Sequence, residues 1–370
     1  MRVLAVNAGS SSLKLRLLDH DDTLLASEDL GAVDDLASGE LAAALDRMRR
    51  SSSGTIEAAG HRIVHGGTRF SRATRIDADV AAGLRELTDL APLHQPKSLA
   101  ALEAVSRELP DLPAVACFDT AFHSTLSDAA STFAVPREWR AKYGVRRYGF
   151  HGLSHAYCVR RTAELVGRPA DALRMVSCHL GAGASLAAVV EGRSVDTTMG
   201  FTPLDGLVMA TRSGSIDPGL VLWLEEHEQV APHAIADALE HRSGLLALAG
   251  TADMREVERR SVSDDRSAQL ALDVFVHRLV TSIGAMAAAA EGLDVLTFTG
   301  GIGEHSVAVR RLAAQRLAHL GVHLDVTRND AASADADIGA DASRARVLVI
   351  TAREDLQIAR EVRDVLGARQ

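Results

Sequence analysis

Twice in 370 residues a short apolar run breaks into a turn rich in Gly, Ala and Ser and then resumes as a second apolar run. The first unit is Arg2–Val6, then Asn7-Ala8-Gly9-Ser10-Ser11-Ser12, then Leu13–Leu18. The second is Met175–Cys178, then His179-Leu180-Gly181-Ala182-Gly183-Ala184-Ser185, then Leu186–Val190, with another turn at Glu191-Gly192. Short apolar runs punctuated in this way read as strands and turns. One such unit per half predicts a duplicated α/β domain, and the chain is longer than a single hydrophobic core usually serves.

Helical spacing is clearest at Leu272, Val276, Leu279, Ile283 and Met286, with Gly292 as a stop. Val295–Phe298 reads as a buried strand that breaks at Gly300-Gly301, and Val347–Ile350 as a strand running into an amphipathic helix from about Glu354 to Leu366. The stretch from Asp325 to Asp341, rich in Asp and Ala, is expected to be a solvated loop. Aromatic residues are only 4%, so Ala, Leu and Val must fill the cores.

A net charge of −9 argues against a nucleic-acid partner, which would call for an excess of Lys and Arg facing the phosphates. No leader is read at the N-terminus and no apolar run reaches the roughly 20 residues of a membrane span, so a cytoplasmic protein without a membrane partner is expected. Cys117, Cys158 and Cys178 lack CxxC spacing and are expected as buried thiols rather than as a disulfide framework or zinc site.

Several stretches suit the handling of phosphate. Asn7 to Lys14 offers Gly for close backbone approach, hydroxyl donors and a cation, although by itself it reads equally as a polar hairpin turn. It is neither a Walker A sequence nor a GxGxxG. Arg62 in His61-Arg62-Ile63-Val64-His65-Gly66-Gly67 and Arg212 in Thr211-Arg212-Ser213-Gly214 carry the planar donor fork suited to carboxylate and phosphate; each could instead pair with a structural carboxylate. Phe118-Asp119-Thr120-Ala121-Phe122-His123 and Tyr148-Gly149-Phe150-His151-Gly152-Leu153-Ser154-His155 are dense in titratable groups. Of the 15 histidines most must be structural; His151, beside Gly152, stands apart, with His123 and His155 as supports. Thr299-Gly300-Gly301-Ile302-Gly303-Glu304 should open a helix and would let a flat base lie against backbone, but fits a plain strand-to-helix turn as well.

In this order the stretches resemble the acetate kinase family of short-chain carboxylate kinases, from residue 2 to about residue 360. The resemblance implies the fold shared by actin, heat-shock chaperones and sugar kinases: two duplicated ribonuclease-H-like α/β domains with an interdomain active-site cleft. Residues 1–118 with 352–370 would form the first domain, and 119–351 the second, with the nucleotide site and dimer interface. It implies transfer between ATP and acetate, giving acetyl phosphate and ADP, with Mg²⁺ or Mn²⁺, in a homodimer. By position, Arg62, Asp119, His151 and Arg212 match catalytic residues, with His94 in support. Asn7, Ser10, Ser12, Lys14, His179, Gly181 and Gly183 match phosphate-proximal positions. Asp253, Met254, Arg255, Gly301, Ile302 and Gly303 match adenine contacts; Val64, Leu93, Phe150 and Pro203 match the acceptor recess; Asn7 and Glu354 match the metal positions.

Departures from the family pattern cluster at the nucleotide. Ala182 stands where Asn is usual, Gly303-Glu304-His305 replaces Gly-Glu-Asn, and the C-terminal signature reads Thr351-Ala352-Arg353-Glu354-Asp355. The loss of an amide donor at Ala182 implies weaker phosphate contact, and it alone favours a nucleotide-binding relative without kinase activity. Arg62, His151, Arg212 and Glu354 favour a kinase, for which propionate, butyrate or a pyrophosphate donor are the alternatives to acetate and ATP.

Overall fold

Val3, Leu4, Ala5 and Val6 are all buried, as expected of a strand covered on both faces. The computed structural model describes residues 1–9, 12–35, 37, 39–51, 55–91 and 94–367. Ser10 and Leu93, both expected at the site, lie outside the described residues.

Two compact units are present. The first comprises Met1–Ser124, Phe150–Tyr157 and Arg353–Gln370; the second comprises Thr125–Gly149 and Cys158–Ala352. Relative to the division expected from the sequence, residues 119–124 and 150–157 fall with the first unit, so His151 belongs there with Arg62.

The first unit holds β1 (Val3–Ala8), β2 (Leu13–Leu18), β3 (Leu24–Leu30), β4 (Ala58–Ile63), β5 (Thr74–Arg75) and β6 (Ala114–Phe118). They form one sheet in the order β3-β2-β1-β4-β6-β5. Strands β1, β4 and β6 are parallel, whereas β2, β3 and β5 are antiparallel to their neighbours. Alternation along β1 feeds two layers. Leu4 and Val6 pack with Leu41, Leu45 and Met48 of the helix Glu40–Ser51 and with Ala101 and Val105 of the helix Gln95–Glu108. Val3 and Ala5 pack with Ile358 and Val362 of the helix Glu354–Gly367. Full burial of each such Leu, Ile or Val stabilises by about 1.5–3 kcal/mol. Gly60 on β4 lets that last helix approach: a Cβ there would sit 2.4 Å from Ile358 Cγ2.

The second unit repeats the plan with β7 (Arg174–Leu180), β8 (Ala184–Val190), β9 (Arg193–Thr197), β10 (Val295–Thr299), β11 (Ala336–Asp337) and β12 (Arg346–Val349). Its sheet order is β11-β12-β10-β7-β8-β9, which is the first order read from the other edge. The parallel trio is now β7, β10 and β12. The duplication expected from the two strand–turn–strand units is therefore present as one topology used twice.

Two expectations are corrected. The Asp325–Asp341 stretch is not a bare loop: Asp325 caps a short helix, Val326–Ala331, and β11 follows, with Ile338 fully buried beside it. The sequence was also expected to lack any segment long and apolar enough for a membrane, yet the helix Arg266–Ala289 meets that length and composition. Its apolar residues serve a core stripe instead, in which Leu272, Phe275, Val276, Leu279, Ile283 and Met286 are buried. All three cysteines are buried and free.

Candidate active site

Parallel strands end on one edge of their sheet, and ligands of open α/β sheets are bound at such carboxyl ends. In the first unit that edge gathers Asn7 near the end of β1, Arg62 near the end of β4 and Asp119 just after β6. Arg62 Nε lies 3.0 and 3.1 Å from the two carboxylate oxygens of Asp119, and Nη2 donates to Oδ2 at 2.6 Å. Arg62 Nη1 donates to Asn7 Oδ1 at 3.1 Å, and Asn7 Nδ2 donates to Glu354 Oε2 at 2.7 Å. A continuous polar chain, Asp119–Arg62–Asn7–Glu354, thus links three strand ends and the start of the last helix.

Asp119 is only 2% exposed. Burial pushes its carboxyl up from the ordinary range, and the Arg62 guanidinium opposes that shift. Burial likewise opposes the charge on Arg62, but the carboxylates of Asp119 and Glu354 outweigh it and hold the guanidinium charged. One N–H on each of Nε, Nη1 and Nη2 is engaged, so among the described residues two of the five donors of the guanidinium remain, one on each Nη. The structural carboxylate weighed as an alternative from sequence exists; it orients the fork without consuming it. Asp119 itself supports Arg62 in this arrangement.

His151 has φ +57, an uncommon backbone state for a residue with a Cβ. The next residue explains how it is held. Gly152 donates its N–H to Asp119 O at 2.8 Å, and a Cβ on it would lie 2.2 Å from that oxygen. The helix Gly152–Val166 therefore starts against the Asp119 backbone, and His151 sits at its head. His123 Nε2 lies 3.0 Å from Phe150 O, supporting the same turn. Val64 and Phe150 are buried, and the His65 ring meets Phe150 edge-on at 5.5 Å. His94 precedes the helix Gln95–Glu108. On the β1–β2 hairpin Lys14 is exposed and pairs in register with Asn7; Gly9 N–H donates to Ser12 O at 2.8 Å.

In the second unit Arg212 lies on a loop laid against the helix Pro232–His241. Its Nε is 2.9 Å from Glu240 Oε2, and Nη1 reaches Pro203 O at 3.4 Å. Thr211 Oγ1 donates to Glu240 O, and Ser213 N–H to Leu239 O. The helix C-terminus and the Glu240 carboxylate both favour a cation here.

At the carboxyl edge of the second sheet lies a cavity of about 580 Å³. Of the expected nucleotide residues, Gly181, Asp253, Met254, Arg255, Gly301 and Ile302 line it. Gly303 is buried behind them, while His179 and Gly183 flank Gly181 on the β7–β8 hairpin. Ala182 also lines the cavity, and its carbonyl accepts from Ala210 N–H at 3.1 Å. The helix expected after β10 is present as Gly300–His305. Buried Arg310 braces its end, with Nη1 donating to Gly303 O and Glu304 O at 3.0 and 2.7 Å.

The model of the Acetokinase family matches residues 27–360. The chain belongs to the acetokinase family. It is 48% identical over 307 residues to the acetate kinase of Microcystis aeruginosa, covering 83% of this chain and 76% of that one. It is 40% identical over 395 residues to the acetate kinase of Carboxydothermus hydrogenoformans, covering 99% of each. Among solved structures, Porphyromonas gingivalis acetate kinase superposes with TM-score 0.89 at 33% identity over 99% of both chains. A propionate kinase from Francisella tularensis does so with TM-score 0.89 at 34% identity, covering 97% of this chain and 98% of that one. The family and fold read from the motifs are thereby established.

Three residues beside these groups carry no signal in the local sequence. Glu240 sits in an ordinary amphipathic helix, and its contact with Arg212 is set by tertiary packing. Glu258 and Ser306 line the cavity together with His305, and no local pattern marks them. The nearest sequence signal was the change to His305 at the end of Gly303-Glu304-His305.

Proposed function

We propose that this acetokinase-family enzyme transfers the γ-phosphoryl group of ATP to acetate, giving acetyl phosphate and ADP, and works equally in reverse. The observation that carries the reading is the Arg62 fork: clamped by Asp119 and Asn7, it keeps two N–H donors for an incoming anion. A carboxylate oxygen of acetate attacks the γ-phosphorus in line. The new P–O bond forms as the bond to the β,γ-bridging oxygen breaks, and that electron pair leaves on ADP. Acetate is already ionised at pH 7, so no general base and no phosphoenzyme are required. Arg62, His151 and Arg212 would hold the equatorial oxygens of the transferring group, where fixed charge lowers the barrier most. Val64, Leu93, Phe150 and Pro203 would receive the acetate methyl, and Asn7, Ser10, Ser12, Lys14, His179, Gly181 and Gly183 would lie nearest the donor phosphates.

A divalent cation fits Glu354, a carboxylate beside the phosphate loop; Mg²⁺ commonly uses one or two carboxylates plus phosphate oxygens and water. Asn7 uses its amide oxygen on Arg62 and its N–H on Glu354, so its part is to orient that carboxylate. When bound, Mg²⁺ or Mn²⁺ would neutralise charge on the donor phosphates. A cytoplasmic homodimer is the assembly we infer; support comes from the helix Pro218–Glu226, which exposes Leu220, Leu222 and Trp223.

The test is initial-rate acyl-phosphate formation with Mg²⁺ and ATP, comparing acetate, propionate and butyrate, with GTP and pyrophosphate as alternative donors. Highest kcat/KM with acetate and ATP is expected. Higher turnover with propionate would move the assignment to a propionate kinase, and none with any pair would remove the kinase reading.

A further inference from the structure

The cavity of the second unit contains a carboxylate with one oxygen in use and one to spare. Its helix, Met254–Ser261, is capped by Asp253, which accepts from Arg255 N–H at 2.9 Å and from Arg255 Nη2 at 2.6 Å. Asp253 and Arg255 thereby satisfy each other. One turn on, Glu258 also lines the cavity. Ser306 Oγ donates its single proton to Glu258 Oε1 and accepts from Val309 N–H at 2.9 Å, capping the helix Val307–Arg316. Both roles of that hydroxyl are filled, so Ser306 fixes the Glu258 carboxylate and cannot turn toward a ligand. Arg310 is a nearby cation, but four of its five donors go to Gly303 O, Glu304 O and Asn329, and none of these bonds reaches Glu258. Glu258 Oε1 is thus taken by Ser306, and Oε2 has no hydrogen-bond partner among the described residues.

We propose that Glu258 is the base-selecting residue of the nucleotide site, with Oε2 accepting a hydrogen bond from the exocyclic amine of adenine. The proposal rests on the reading of this cavity as the nucleotide's. Gly301 and Ile302 offer the surface for a flat purine; the place of a Cβ on Gly301 is open space. A single spare oxygen suits a single amine donor. Guanine carries a carbonyl at the position of that amine, whose lone pairs a carboxylate repels. Its two adjacent N–H donors are best met by two carboxylate oxygens, and Oε1 already serves Ser306. Hydrogen bonding to a charged group discriminates strongly against an analogue that lacks the donor.

The test compares ATP, GTP and purine riboside 5′-triphosphate, which lacks the amine, as donors to acetate in the full-length enzyme. The original enzyme should favour ATP over the amine-free analogue by about tenfold or more in kcat/KM. Glu258→Leu should erase that preference by lowering the ATP value alone; Glu258→Gln, which keeps an acceptor, should retain part of it, with the KM for acetate unchanged in both. Gln also covers the case in which the Leu variant fails to fold. A preference for ATP that survives in both variants, or a loss confined to GTP, overturns the proposal. Ile302→Trp, which fills the cavity, separates the two readings. If it raises KM for all three triphosphates while the Glu258 variants are silent, only the role of Glu258 falls. If KM does not move, the cavity does not hold the base and both readings fall.

Discussion

Arg62 meets Asp119 side-on, Nε toward both carboxylate oxygens and Nη2 on Oδ2 at 2.6 Å, with the carboxylate almost wholly buried. A guanidinium held along that side presents its Nη end in one direction only. In Asp119→Asn the amide can accept from one donor but offers its own N–H toward the other, so the fork is displaced and a buried charge loses its partner. Breaking a buried pair from one side costs about 3–5 kcal/mol. The variant should lose at least about a hundredfold in kcat, in keeping with the loss of one aligned charge contact. Initial rates below the melting transition would decide; kcat within threefold of the original would remove Asp119 as the group that positions Arg62.

Glu240 approaches Arg212 through one oxygen, 2.9 Å from Nε, rather than through the two-oxygen clamp of Asp119 on Arg62, and its side chain is only 13% exposed. Glu240→Gln should therefore cost some stability, about 1–3 kcal/mol. If Glu240 aims Arg212 at the transferring group, kcat should fall by about tenfold or more while KM for ATP stays put. A purely structural role would instead appear as a lowered Tm with kcat intact.

Val64 follows β4 directly, so its side chain is set by the same strand that sets Arg62. Val64→Ala would deepen the proposed acceptor recess by two methyl groups. A methylene in such a pocket is worth about 1–3 kcal/mol of discrimination, so the kcat/KM ratio of propionate to acetate should rise by about tenfold. An unchanged ratio would place the acceptor methyl elsewhere.

The parts legible in the sequence were those written locally. The two strand–turn–strand units announced the duplicated sheets because strand periodicity and Gly-rich turns are short-range signals. Arg62, Arg212 and His151 stood out because Arg or His beside Gly in non-helical sequence is unusual. What stayed hidden depends on partners far away in the chain. Asp119 was visible as a titratable group, but its clamp on Arg62 spans 57 positions. The link from Asn7 to Glu354 spans 347 and exists because Gly60 lets the last helix settle on β4. Glu258 and Ser306 come together only because two helices start at the same cavity. The short helix Val326–Ala331 was masked by composition: its Asp cap and a few Ala and polar residues read as solvated chain.

Three buried groups make stability depend on pH with opposing signs. Both ring nitrogens of His61 are buried without a hydrogen-bond partner among the described residues, and burial lowers its pKa to about 4. His65 is lowered to about 4 for the same reason, and its Nδ1 accepts from Gly67 N–H at 2.8 Å, as a neutral ring can. Between about pH 4 and pH 6.5 the unfolded chain takes up protons on these rings that the folded chain refuses. Stability is therefore full above pH 6.5 and is lost as pH falls, by about 3 kcal/mol per ring. Glu361 works the other way. Burial raises it to about 7, so between its ordinary 4.5 and 7 the folded chain keeps a proton the unfolded chain has released. Its contribution is full below pH 4.5 and is lost as pH rises through 7, again by about 3 kcal/mol. Two rings outweigh one carboxyl, so these groups leave the fold more stable at pH 7 than at pH 4.5. Urea unfolding at both pH values should show His61→Leu narrowing that difference and Glu361→Gln widening it. If Glu361→Gln leaves the difference unaltered, the carboxyl is ionised in the fold at both pH values, and its Oε2 must have found a donor.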